Sequence, residues 1–266
     1  MNMKKTLIAL AVAASAVVSG SAMAWTANGT GGTSVDLGGT LTPVEKITPW
    51  EIQIGAAVTN LDANIQKNQS IVDVAVNKAI PVLGIRTVEA KAFPAQAGIN
   101  PVINYNGAVN FDGMKNGVAK LTLSVQNGTT GTKIGTLSAD ILTGAGVARS
   151  DVVGGDAYSA YSDGNNTFQG GIGSSGQVVN SLGKLRTLLN SINPEFTANF
   201  VQLDKPDVGV WRAPSFADGV GKKGSYSAFY GSGIESGKKI QIKLDAPAAA
   251  DAIAWKASLP VTVSYQ

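Results

Sequence analysis

The feature that most constrains this chain is the segment 253–265. Ile253, Trp255, Ala257, Leu259, Val261, Val263 and Tyr265 share one face, and Lys256, Ser258, Thr262 and Ser264 share the other. Period-two alternation over this length fits a half-buried β-strand and does not fit a helix. Such a strand needs a sheet beside it. Pro260 lies on the second face and has no N–H, so it predicts a bend or a free ladder position.

Shorter runs alternate in the same way at 50–54, 71–76, 119–125 and 239–244. Asn127-Gly128 begins a turn between 119–125 and 132–141, which predicts a hairpin. Residues 101–105 and 108–111, with Asn106-Gly107 between them, read as short strands, as do 208–211 and 226–230. Residues 80–85 contain Pro81, which places them at a sheet edge or a strand start. Residues 61–70 read as loop. From 143 to 176 the chain is rich in Gly, Ser, Asp and Asn, no period survives, and a long loop is expected. One helix follows. Val178, Leu182, Leu185, Leu189 and Ile192 are spaced by threes and fours, and Asn193-Pro194 ends the run. The sum is an all-β sandwich with a helical and loop insertion at about 143–211.

The N-terminus has its own logic. Lys4 and Lys5 precede an apolar run at 7–18, and Ala22-Met23-Ala24 follows. The run is too short for a stable membrane span, so the pattern predicts a secretory signal peptide, residues 1–24, cut before Trp25. Removing 24 of the 266 residues leaves 242, enough for a substantial core. Lys4 and Lys5 leave with it, and the formal charge falls from +3 to +1. No polybasic run remains to suggest nucleic acid or an anionic membrane. The chain has no Cys and no His. A Ser–His triad, a Cys–His pair and a His-ligated zinc site are therefore excluded, and no cofactor is implied.

After the signal comes a loose Thr- and Gly-rich stretch, and then residues 34–42, Ser-Val-Asp-Leu-Gly-Gly-Thr-Leu-Thr. Here Val35, Leu37, Gly39 and Leu41 fall on one face. A well-patterned strand on a loose arm needs a partner, and the expectation is a groove on another copy of the chain. Three rivals have residues behind them. Ser181-Leu-Gly-Lys184 matches the Ser-x-x-Lys of a periplasmic serine enzyme, but Lys-Thr-Gly is missing and Ser162-Asp163-Gly164 poorly echoes Ser-Asp-Asn. A helix N-cap at Asn180 or Ser181 explains the same residues. Asp151, Asp156 and Asp163 lie in a Gly/Asn-rich stretch but form no calcium loop. An outer-membrane β-barrel suits export and alternation, but aromatics are only 6% and no paired girdles are visible.

The chain resembles the FaeG/ClpG type of chaperone–usher fimbrial subunit. The resemblance rests on Trp25, Gly38-Gly39-Thr40, Pro81-Val-Leu-Gly-Ile-Arg86, Gly233-Ile234 with Gly237, Trp255-x-Ala257-x-Leu259-x-Val261 and penultimate Tyr265. It implies an immunoglobulin-like sandwich lacking its last strand. The missing strand is supplied first by a periplasmic chaperone and then by the arm of the next subunit, a form of strand addition. On this resemblance Val35, Leu37, Gly39 and Leu41 form the donor strand. Trp255, Leu259, Val261, Val263 and Tyr265 flank the gap. The pilin domain is 43–266, and the arm is 25–42. The implied partners are further fimbrial subunits, the chaperone, an outer-membrane usher and a host glycan. The implied destination is a fimbrium on the cell surface. Tyr158, Tyr161, Asp163, Lys184 and Arg186, all in the insertion, have chemistry suited to a sugar.

Overall fold

The computed structural model describes residues 37–42, 47–150, 155–164, 166–217, 224–249 and 251–266. The signal peptide, Val35 and Asp151 lie outside the described residues. The chain divides into two units, Met1–Glu45 and Lys46–Gln266. In the first, residues 37–42 carry no regular secondary structure.

The second unit is all-β. Its strands are β1 (Trp50–Ile54), β2 (Ile71–Ala75), β3 (Ile80–Thr87), β4 (Phe93–Pro94), β5 (Pro101–Asn104), β6 (Val109–Lys115), β7 (Val118–Asn127), β8 (Lys133–Ser150) and β9 (Gly155–Tyr161). After helix α1 (Leu182–Ile192) come β10 (Asp207–Arg212), β11 (Ser225–Ile234), β12 (Lys239–Leu244), β13 (Trp255–Lys256) and β14 (Thr262–Tyr265). The main sheet runs β1-β3-β11-β8-β12-β2, with β7 and β9 branching from the long β8, and β14 pairs with β5 in a second sheet. The path ends in β1 at one side and β2 at the other and does not close, so the barrel reading is set aside. Side chains of both sheets meet in one core, including Leu83, Ile85, Ile103, Tyr105, Val147 and Tyr230. This is an immunoglobulin-like sandwich.

The expected hairpin is present as β7 and β8, paired antiparallel from Val118↔Leu142 to Gln126↔Lys133. Residues 101–111 form a turn at Asn106 and Gly107, both at positive φ, but β5 goes to β14 and β6 goes to β7. Residues 80–85 are not an edge, since β3 lies between β1 and β11. Pro81 is tolerated because it stands near the strand start, beyond the last β1 pair and beside a break in register between Ser232 and Gly233.

The long loop expected from 143 to 176 is half wrong. Its first eight residues complete β8, and 155–161 form β9, paired with β8 from Ala145↔Ala160 to Ser150↔Gly155. Residues 141–148 are all buried. A strand covered on both faces has no polar face to alternate with, so it carries no period-two signal.

The cover on the outer face is α1. Ser181 is its N-cap, and its Oγ accepts the Lys184 N–H at 3.2 Å. That is the role of the Ser181–Lys184 pair. Leu182, Leu185, Leu189 and Ile192 form the buried stripe of the helix. They settle on a bed of small residues. A Cβ on Gly144 would lie 2.4 Å from Leu185, one on Gly146 2.6 Å from Leu182, and one on Gly231 3.0 Å from Leu189. The following 3₁₀ turn, Pro194–Thr197, is tied to the sheet by Arg86, which bonds Glu51 and Glu195 at 2.5 Å each.

Aromatic residues seal one end of the core. Trp50 donates its indole N–H to the Ile99 carbonyl at 2.7 Å and packs against Phe93, Phe216 and Phe168, with ring centroids 5.0, 5.6 and 6.0 Å away. Deeper in, the Tyr105 hydroxyl lies 2.7 Å from both Tyr230 and Ser232. Burial pushes the Tyr105 phenol up to about 12, and Tyr230 also rises well above its ordinary value through burial and the neighbouring tyrosine.

Candidate functional site: an open side of the sandwich

The C-terminal segment is one continuous face but not one continuous ladder. Residues 253, 255, 257, 259, 261, 263 and 265 are all half-buried and pack on the core, while every residue between them is exposed. β13 pairs with β7 at Trp255↔Asn127 and Lys256↔Gln126, and β14 pairs with β5 from Thr262↔Asn104 to Tyr265↔Pro101. Residues 257–261 between them join no strand. Pro260 sits where the ladder changes partner, so its missing N–H falls in the break. A cleft of about 320 Å³, lined by Thr122, Ser124, Gln126, Ser258 and Pro260 among others, opens there.

Backbone direction follows from the pairing. Asn100 and Gln266 exchange both backbone bonds, each 3.1 Å. In an antiparallel ladder the bonded pairs alternate. Gln266, Ser264 and Thr262 therefore face β5, and the N–H and C=O groups of Tyr265 and Val263 face the other way. Among the described residues no strand pairs with that edge.

β1 shows the matching defect. Ile52 and Ile54 stand opposite Ile85 and Leu83, both fully buried in the core. Directly paired residues project to the same face, so these isoleucines point to the core side of the sheet. Yet exposure rises along that row, from 6% at Trp50 to 40% at Ile52 and 58% at Ile54, with Val58 beyond also at 40%. Among the described residues no strand covers these core-side isoleucines. The two edges meet at one end, where the Thr48 hydroxyl bonds the Tyr265 phenol against the upward push of burial on its pKa.

The other site residues are placed as follows. Leu37 and Leu41 are 92% and 97% exposed, and a Cβ on Gly39 would meet nothing within 4 Å. Trp255, Leu259, Val261, Val263 and Tyr265 all line the half-buried face described above. The sugar set does not come together. Tyr158 is fully buried in the core, and burial holds its phenol pKa well up, so it leaves the surface set. Tyr161, half-buried, and exposed Asp163 lie at one end of β10, where Asp163 bonds Arg212 at 2.8 Å. Lys184 and Arg186 are on α1, near the other end of β10, where Asp207 accepts the Gly183 N–H at 3.2 Å. The ends of β10 are roughly 16 Å apart at the rise of a strand. The Arg186 guanidinium lies over the Phe200 ring at 5.5 Å. Asp156 is held by Arg149 in two bonds of 2.7 and 3.0 Å. Among the described residues no group of acidic side chains could hold a metal. Sequence reading passed over Trp211, which is 53% exposed beside Arg212. It also passed over the openness of Ile52 and Ile54, although their alternation was visible.

The family model described as fimbrial, major and minor subunit, of the K88 type, matches residues 3–266. Two Escherichia coli relatives, K88 fimbrial protein AC and K88 fimbrial protein AB, are 29% and 30% identical, each alignment covering 99% of this chain and 100% of the relative. The match covers nearly the whole length, and the chain belongs to the K88 family of fimbrial major and minor subunits.

Proposed function

We propose that this fimbrial subunit polymerises by donor-strand exchange, with residues 34–42 of one copy filling the open side of the next. As a fimbrial subunit it assembles with other subunits into a surface fimbrium. The observation that carries the finer reading is the exposure of Ile52 and Ile54 on the core face of β1, together with the unpaired edge of β14. Val35, Leu37 and Leu41 supply apolar knobs at alternate positions, and Gly39 supplies a gap. A head-to-tail contact of this kind does not close on itself and yields a filament. In this reading residues 1–24 direct export, and a periplasmic chaperone and an outer-membrane usher handle the same unpaired edge before assembly, because an open apolar edge aggregates if left bare.

The test is assembly of the full chain carrying Leu37→Asp and Leu41→Asp. Both side chains are almost wholly exposed, so the fold stays intact by circular dichroism. The expected result is loss of filaments by electron microscopy and of high-mass ladders on gels. Normal filaments would sink the donor-strand reading.

A second role, host-glycan binding, is favoured by one observation. Trp211 stands exposed on β10, next to Arg212, which is paired with Asp163, and Arg212 stands opposite Tyr161. An exposed indole offers the apolar face that a sugar ring stacks on, and the ion pair offers bonds to hydroxyls. Repetition along a filament multiplies weak single sites. Trp211→Ala should cut binding of filaments to a glycan array about two- to tenfold, at the expected 0.5–1.5 kcal/mol for a lost stacking contact. Unchanged binding on every glycan that the parent recognises removes Trp211 from the role.

A further inference from the structure

Alternation alone does not fix where a donor strand sits. A slip of one residue turns Val35, Leu37 and Leu41 to solvent and is costly, but a slip of two keeps the same face inward. Some feature of the groove has to break that degeneracy. The open row on β1 shows one. Trp50, Ile52 and Ile54 share the core-side face, and only Trp50 is sealed. Its indole fills the end of the row, held by the bond to the Ile99 carbonyl and by Phe93, Phe168 and Phe216. Asn100, the residue after Ile99, exchanges two backbone bonds with Gln266. The indole is thus fastened to the end of the C-terminal strand, and the two walls of the groove are tied together behind it.

We infer that Trp50 is the end stop of the groove and sets the register of the incoming strand. This rests on the donor-strand reading above. Trp50 acts as a positioning residue: its ring occupies the last core-side position, so an arriving strand can place its final knob no deeper than Ile52. The ring's place among Phe93, Phe168 and Phe216 makes the stop rigid. Ile52, two residues on and open, is the deepest position left free.

The absence of cysteine makes register directly readable. Ile54→Cys is placed in the full chain as a reporter. A second cysteine is introduced one position at a time at Thr33, Val35, Leu37, Gly39, Leu41 or Pro43. Oxidised filaments are run on non-reducing gels. One arm position should dominate the disulfide-linked product. Trp50→Leu vacates the end of the row, and roughly half or more of the product should move by two residues in one direction. Ile52→Trp brings the stop forward, and the product should move by two residues in the opposite direction. This second change is at an open site, so it reads register even if Trp50→Leu fails to fold. An unchanged dominant position in the Ile52→Trp filaments overturns the end-stop role while leaving the donor-strand reading standing. No crosslink at any of the six positions in the parent overturns the donor-strand reading, and the end stop with it.

Discussion

A chain lacking residues 25–42 should gain about 5–11 °C in Tm when the peptide 34–42 is added at a hundred times its Kd. The physical case is mass action. A ligand that binds only the folded state at that excess adds about 2.7 kcal/mol. For a domain of this size each kcal/mol is worth about 2–4 °C. On the donor-strand reading proposed above, the folded state alone offers the binding site, because that site is formed by β1 and the C-terminal strand, and the unfolded chain has neither. Without the peptide the truncated chain keeps Ile52, Ile54 and Val58 open to water and leaves the β14 edge unpaired. It should be marginal and prone to aggregate. A peptide of the same composition with the alternation scrambled should give no shift, since its apolar residues cannot all face the groove. A truncated chain that melts where the full chain does, and ignores the peptide, would sink the reading.

Gly146→Val should strongly destabilise the sheet beneath the helix. Gly146 lies in β8 beneath α1. A Cβ there would fall 2.4 Å from the Phe229 ring and 2.6 Å from Leu182. Neither neighbour has room to withdraw, since Phe229 and Leu182 are both buried in the layer between helix and sheet. Over-packing of a filled core costs about 1–3 kcal/mol, and a branched side chain at this separation belongs at the upper end. The expected result is a fall of about 6–12 °C in Tm, with faster hydrogen exchange in α1 as the helix lifts from its bed. Gly113→Ala is the control, because a Cβ at Gly113 meets nothing within 4 Å. Equal melting temperatures for Gly146→Val and the parent would show that the helix is not seated on the glycines.

As a fimbrial subunit the chain is not an enzyme, and Ser181 shows how a catalytic pattern arises without catalysis. Ser-x-x-Lys is also what a helix start looks like when a serine hydroxyl caps the N–H three residues on. The pairing of Asp156 with Arg149 and of Asp163 with Arg212 makes the same point for calcium. Asp156 and Asp163 are each neutralised by an arginine of their own.

By itself, the sequence determined the strands that are buried on one side. Residues 71–76, 119–125 and 239–244 alternate because one face meets the core and the other meets water, and 253–265 alternates in the same way although only 255–256 and 262–265 join strands. It also determined which chemistry is closed to the chain, since without His or Cys most catalytic and metal sites cannot be built. Tertiary structure decided the rest. Most of the second half of β8 and the middle of β9 are buried on both faces, so they have no polar face and no period to read. Tyr158 looked like a surface aromatic in a polar stretch, and the fold buries it because β9 joins the sheet. Ile52 and Ile54 alternate as core residues do, yet they are 40% and 58% exposed. Alternation says which way a side chain points, and only the assembled sheets say whether anything lies in front of it.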